Sequence, residues 1–238
     1  MALPPKFGGH RLVITDATAS GPSANEPLHT LEFYLDYVCP FSAKLFKTLT
    51  TTVIPHIRSN PALAGRVQLI LRQQIQPWHP SSTLVHEAAL AVNRLLLQRA
   101  SSSGDAAAAA AAAAEQFWTF SGALFARQTA FFDEAVARET RNETYRRLAR
   151  LAAEALGDGL VSEADVYGLL EVREGEVGGE GKNAGNAVTA DVKTVVKMAR
   201  LTGVHVSPTV LFNGVVVGEI SSGWTGEQWI EWLGKNIV

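Results

Sequence analysis

The sequence predicts an α/β fold in which a long helical segment interrupts a small sheet. Three observations carry this. Leu31, Phe33, Leu35 and Tyr37 alternate with Glu32, Tyr34 and Asp36, the period of a strand with one more apolar face, and a helical pattern follows directly. Near the other end, Thr209-Val210-Leu211-Phe212 and Val215-Val216-Val217 flank Asn213-Gly214, the strongest two-residue hairpin signal. Between them, residues 81–202 are dominated by helical periodicity.

In chain order, Leu12-Val13-Ile14 reads as a short strand and residues 16–27, rich in Ser, Thr, Ala and Pro, as a loop. After the strand at residue 31, Pro40 suits a first helical turn, and Ala43, Leu45, Phe46 and Leu49 continue a helix. Pro55 is where that helix is expected to end or kink, and Asn60-Pro61 marks a turn. Residues 67–72 form a nearly continuous apolar run, the pattern of a central strand covered on both faces. Gln76-Pro77-Trp78-His79-Pro80 closes it, with Ser81, Ser82 or Thr83 as candidate helix caps. Val85, Ala88, Ala89, Val92, Leu95 and Leu96 then form an amphipathic stripe.

Asp105 is a plausible N-cap for a helix that uses the alanine run 106–114 and continues through Phe117, Phe120 and Leu124. Phe117, Trp118, Phe120, Phe125, Phe131 and Phe132 read as helix–helix core, with a groove wall facing Cys39 as the sharper alternative. Further helices are expected over 143–156, from the Ser162 cap through Leu170, and over 188–202 up to Gly203. Residues 174–185 hold five glycines among polar residues and read as a surface linker. Thr225 and Gln228 fit a capping box opening a last helix that buries Trp229, Trp232, Leu233 and Ile237.

At 238 residues the chain can bury a full core. A net charge of −2 argues against broad attraction to nucleic acid or anionic membrane. The first ten residues lack the apolar core of a signal peptide, and no apolar run is long enough to span a bilayer. A single cysteine, Cys39, rules out an intrachain disulfide, so a reducing, cytoplasmic setting is expected. His79, His86 and Glu87 match no zinc-ligand spacing and are read as loop and helix-surface polar residues, with no metal site expected.

Cys39 is the candidate for chemistry. It lies at a strand-to-helix turn just before Pro40, where unpaired N–H groups and the helix dipole favour the thiolate. It is expected to be partly exposed. Ser42, one helical turn on, is placed to donate its hydroxyl to the sulfur or to serve as an ordinary first-turn serine.

Strand-Cys39-Pro40-Phe41-Ser42-helix resembles the Cys-x-x-Cys/Ser active site of the thioredoxin superfamily. Gly203-Val204-His205-Val206-Ser207-Pro208-Thr209 resembles the loop in which these proteins set a cis-proline opposite the cysteine. The long segment between them is similar to the helical insertion of the DsbA-like branch. The resemblance implies a thioredoxin-like core over 1–80 and 203–238, an inserted helical subdomain over 81–202, and a cis Ser207–Pro208 peptide. It implies Cys39 and Ser42 as catalytic residues, with Pro40, Phe41, Ser207, Pro208 and Thr209 around the ligand.

Serine at position 42 cannot form an internal disulfide, so an outside thiol must resolve a mixed disulfide on Cys39. The resemblance thus implies a monothiol thiol-disulfide oxidoreductase acting on a small thiol or disulfide, with glutathione as co-substrate. A kappa-class glutathione transferase or hydroxychromene-carboxylate isomerase is the alternative, since these related proteins use serine where this chain has Cys39. A non-catalytic binding protein is the third reading. Monothiol glutaredoxins share Cys-x-x-Ser and bind an iron–sulfur cluster, but the helical insert sets this chain apart from them.

Overall fold

The computed structural model describes residues 3–15, 28–173, 183 and 185–237. The loop expected over 16–27 and most of the glycine-rich segment therefore lie outside the described residues.

A 3-10 turn, Pro5–His10, leads into β1 (Arg11–Val13), and β2 (His29–Leu35) runs to the turn that carries Cys39. Helix α1 (Pro40–Thr48) follows, then a π-helical turn (Leu49–Val53) and α2 (Ile54–Ser59). The helical path thus continues past Pro55. The wider π turn precedes the proline, which falls in the first turn of α2, where an amide hydrogen is dispensable.

After β3 (Val67–Gln73) come α3 (Ser82–Ser101), α4 (Ala106–Ala126), a 3-10 turn (Gln128–Phe131), α5 (Asp133–Val136), α6 (Arg141–Leu156), α7 (Glu163–Leu170) and α8 (Thr189–Thr202). The chain then returns through β4 (Thr209–Phe212), β5 (Val215–Val216) and α9 (Gly226–Asn236). Asp105 accepts from the Ala108 N–H, as an N-cap should. Thr140 and Glu143 form a capping box on α6 that the sequence reading missed, although its Thr-x-x-Glu signal is present. Gly203 ends α8 in the left-handed conformation (φ 76°). Asn213 and Gly214 both take positive φ, 48° and 86°, as the hairpin turn requires.

The strands form one sheet in the order β1-β3-β2-β4-β5. β2 is central, parallel to β3 and antiparallel to β4. Its neighbours explain a departure from the expected alternation. Glu32, Tyr34 and Asp36 are buried together with Leu31, Phe33 and Leu35, so both faces of β2 are covered. On one face Tyr34 packs with Leu211 of β4 and with Ala199 and Val204 at the end of α8. On that same face Glu32 pairs with the buried Arg72 at 2.6 Å. On the other face Phe33 meets Trp229 of α9, ring centroids 6.1 Å apart, within the main core.

The aromatic residues of α4 belong to that main core. Phe46 of α1 stacks on Trp118 at 5.7 Å and contacts Phe125 at 4.7 Å, as the helix–helix core reading expects. Among the described residues no helix is long and apolar enough to cross a membrane.

Candidate active site

The turn between β2 and α1 positions Cys39. The Cys39 N–H donates to the Asp36 carbonyl at 3.1 Å, and the Cys39 carbonyl accepts the Ala43 N–H at 3.1 Å. Cys39 is thus the N-cap of α1, in extended conformation, with Pro40 opening the helix. Its sulfur sits at the helix terminus, where first-turn N–H groups lack helical partners.

Cys39 is not partly exposed, contrary to expectation: only 4% of its surface is accessible. The loop before β4 covers it. The Cys39 Sγ–H donates to the Ser207 carbonyl at 3.6 Å, and the Ser207–Pro208 peptide is cis. The Thr209 hydroxyl donates to the Val206 carbonyl at 2.8 Å and closes that loop. From the helical unit, the Gln128 amide donates to the carbonyls of Tyr37 (3.0 Å) and Cys39 (3.3 Å).

Three large apolar side chains are exposed on the segments that hold the sulfur. Phe41 (63% exposed) follows Pro40, Val206 (57%) precedes Ser207, and Trp78 (60%) lies in the loop after β3. The Gln76 side chain joins that loop to the cis-proline loop by donating to the His205 carbonyl at 3.4 Å.

Ser42 is fully buried. Its hydroxyl oxygen accepts the Asp36 N–H at 3.2 Å, so it braces the turn from inside the helix. No hydrogen bond joins it to the Cys39 sulfur among the described residues.

Asp36 is the residue that sequence reasoning missed, because it was counted on the polar face of a strand. Its carboxylate is fully buried behind Cys39. Oδ1 accepts from the Val38 N–H (2.9 Å) and the Ser82 hydroxyl (2.8 Å). Oδ2 accepts from the Gln76 N–H (3.1 Å) and His79 Nδ1 (2.9 Å). His86 Nε2 stands 3.6 Å from Oδ1, beyond hydrogen-bond range but close enough for charge attraction. Burial pushes the carboxyl up. The adjacent His86, with His79 and the Val38 N–H, outweighs burial and holds it well below the usual carboxylate range.

The residues around this carboxylate correct two further expectations. His86 and Glu87 are buried rather than on a helix surface. His86 turns to Asp36, while Glu87 turns to Tyr145 and Arg141 of α6. Nor do the serines before α3 cap it: Ser81 bonds the Phe131 carbonyl and Ser82 bonds Asp36. Among the described residues no group of three or more His, Cys, Asp or Glu is placed to hold a metal ion.

No protein-family model matches the chain, and no curated protein is detectably similar in sequence. Solved structures are similar in fold. A candidate protein-disulfide isomerase from Pseudomonas syringae shares 25% identity over 88% of this chain and 95% of its own, with a TM-score of 0.58. The thiol-disulfide oxidoreductase MdbA from Corynebacterium diphtheriae shares 19% over 92% and 94%, with a TM-score of 0.53. BdbD from Bacillus subtilis shares 17% over 98% and 95%, with a TM-score of 0.54. A sheet with the cysteine at its central strand-to-helix turn, a cis-proline loop across from it and a helical unit between them give this chain the thioredoxin fold in its DsbA-like form.

Proposed function

We propose that the protein is a monothiol thiol-disulfide oxidoreductase with Cys39 as its nucleophile and glutathione as co-substrate. The observation that carries this reading is the placement of Cys39, the one cysteine of the chain, at the N-terminus of α1 against the cis-proline loop. The thiolate attacks one sulfur of a disulfide. A new S–S bond forms to Cys39, the old one breaks, and the departing sulfur leaves as a thiolate that takes up a proton. A glutathione thiolate then attacks the mixed disulfide and releases Cys39. Ser42 cannot perform that second step, and its hydroxyl is committed to the Asp36 N–H.

The backbone of Ser207 supports an extended thiol ligand, because its carbonyl already pairs with the Cys39 sulfur. Phe41, Trp78 and Val206 supply apolar surface for the remainder of a substrate. A reducing compartment such as the cytoplasm would supply the resolving thiol. Intact-mass analysis after incubation with oxidised glutathione tests the reading. One glutathione on wild-type protein, none on Cys39→Ser, and release by added thiol are expected. Wild-type protein that stays unmodified would overturn it.

A further inference from the structure

The parallel pairing of β2 and β3 sets two loops side by side at one edge of the sheet. Leu35 pairs with Gln73, and the Gln74 N–H donates to the Leu35 carbonyl at 2.9 Å. Beyond Leu35 the chain turns through Asp36 to Cys39. Beyond Gln73 it runs through Gln76, Trp78 and His79 to α3. The crevice outside the carboxyl ends of parallel strands is where such sheets receive ligands.

Two ties fasten the second loop to the walls of the Cys39 site. Asp36 Oδ2 accepts from the Gln76 N–H at 3.1 Å and from His79 Nδ1 at 2.9 Å, while the Asp36 carbonyl accepts the Cys39 N–H at 3.1 Å. The Gln76 side chain reaches the opposite wall, at the His205 carbonyl, two residues before the Ser207 carbonyl that meets the Cys39 sulfur. The His79 N–H donates to the Gln76 carbonyl at 3.1 Å and closes the loop as a turn.

The carboxylate fixes the tautomer of His79. Asp36 is ionised and only accepts, so the ring nitrogen bonded to it, Nδ1, is the one that carries the proton. In the neutral ring Nε2 is then a bare lone pair. Among the described residues it has no hydrogen-bond partner. The side chain is 22% exposed and stands edge-on to the exposed Trp78, ring centroids 6.1 Å apart. An imidazole held by a buried carboxylate with its outer nitrogen open is the arrangement of a general base. The neighbouring titratable groups are placed otherwise. His86 of α3 is buried on the side of the other Asp36 oxygen, and the Tyr37 hydroxyl is bonded to Ser121.

We propose that His79 is the general base for the resolving thiol, with Nε2 taking the proton of glutathione as its sulfur attacks the mixed disulfide on Cys39. This inference rests on the oxidoreductase reading above. The S–H bond of the incoming glutathione breaks and its proton passes to Nε2. A new S–S bond forms to the sulfur of the bound glutathione, and the bond from that sulfur to Cys39 breaks. The electron pair leaves with Cys39 as a thiolate at the start of α1, and the His79 imidazolium returns its proton to water. A cysteine thiol with a pKa of about 8.5 is only about 3% thiolate at pH 7, so a base in the site can accelerate this step by up to about thirtyfold.

The test isolates the second step. Protein carrying one glutathione on Cys39 is mixed with excess reduced glutathione, and loss of the adduct is followed by intact mass in quenched samples. In the wild type the rate is expected to change less than threefold between pH 7 and 8, because the proton already has an acceptor. His79→Asn keeps a donor for Asp36, since the amide nitrogen takes the place of Nδ1, and removes Nε2. Its rate should be about tenfold lower at pH 7, rise about tenfold by pH 8, and meet the wild-type rate near pH 9.5, where the thiol ionises unaided. A variant as fast as wild type at pH 7 would overturn the proposal. So would a tenfold rise between pH 7 and 8 in the wild type itself, a result that does not depend on the variant folding. Protein that takes no glutathione defeats the oxidoreductase reading and this inference with it, whereas an adduct resolved equally fast in both proteins defeats this inference alone.

Discussion

Acid should weaken this protein through His10 well before its carboxylates titrate. The ring is buried between Phe7 and Phe117, with centroids at 5.4 and 4.3 Å, and burial lowers its pKa from 6.5 to about 3. Below pH 6.5 the unfolded chain takes a proton that the folded ring refuses. A depressed histidine therefore contributes stability that is present above 6.5 and is lost as pH falls toward 3. Each unit within that window costs about 1.4 kcal/mol, and the slope develops gradually near its upper end. Acidification from pH 6.5 to about 4.5 thus removes about 2 kcal/mol, a large part of a typical folding free energy. Asp36 does not cloud this window. As a depressed carboxylate its contribution is present above 3.8 and fades below it. Urea unfolding at several pH values would measure the slope in wild type and in His10→Gln. The variant is less stable everywhere because it loses the ring contacts, but its curve should be flatter between pH 6.5 and 4.5. Parallel curves would refute the assignment of the slope to His10.

Other expectations concern the site and its packing. Cys39→Ser should abolish glutathione adduct formation while leaving the thermal midpoint close to wild type, since it exchanges one sulfur for oxygen at a helix cap; circular dichroism and intact mass check both halves. Ser42→Cys should form an internal disulfide under mild oxidation and expel glutathione from Cys39, seen as loss of the adduct mass; a variant that accumulates the adduct unchanged would show that positions 39 and 42 do not face each other. Gly9→Ala should destabilise by about 1–3 kcal/mol in urea unfolding, because a methyl there would lie 2.6 Å from Asn93 Oδ1 and 3.4 Å from Phe117 Cβ.

The sequence was most legible where one local rule governs. Asn213-Gly214 announced its hairpin, Thr225 and Gln228 their capping box, and Cys39-Pro40 the strand-to-helix turn, since each depends on backbone chemistry within a few residues. Tyr34 and Glu32 misled, because alternation looks the same whether the second face meets water or a helix. The end of α8, more than 150 positions later, packs on Tyr34, while Glu32 is buried with Arg72 of β3 as its partner. Ser81 and Ser82 were read as caps for the same reason: their hydroxyls answer to Phe131 and Asp36, which sequence spacing cannot reveal. The position of Cys39 at a strand-to-helix turn could be read locally, whereas its surroundings could not. Asp36, His79 and His86 come from three separate stretches and meet only in the folded chain.

The Gln128 amide has a consequence of its own. One side chain from the short turn after α4 grips the carbonyls of both Tyr37 and Cys39. The segment after α4 therefore reaches the turn between β2 and α1 directly, and that turn is a seam between the helical segment and the sheet rather than property of either. A version trimmed back to its strands would keep the cysteine yet lose both Gln128 hydrogen bonds. Conversely, a movement of the α4 end would be transmitted through Gln128 to the turn that carries Cys39.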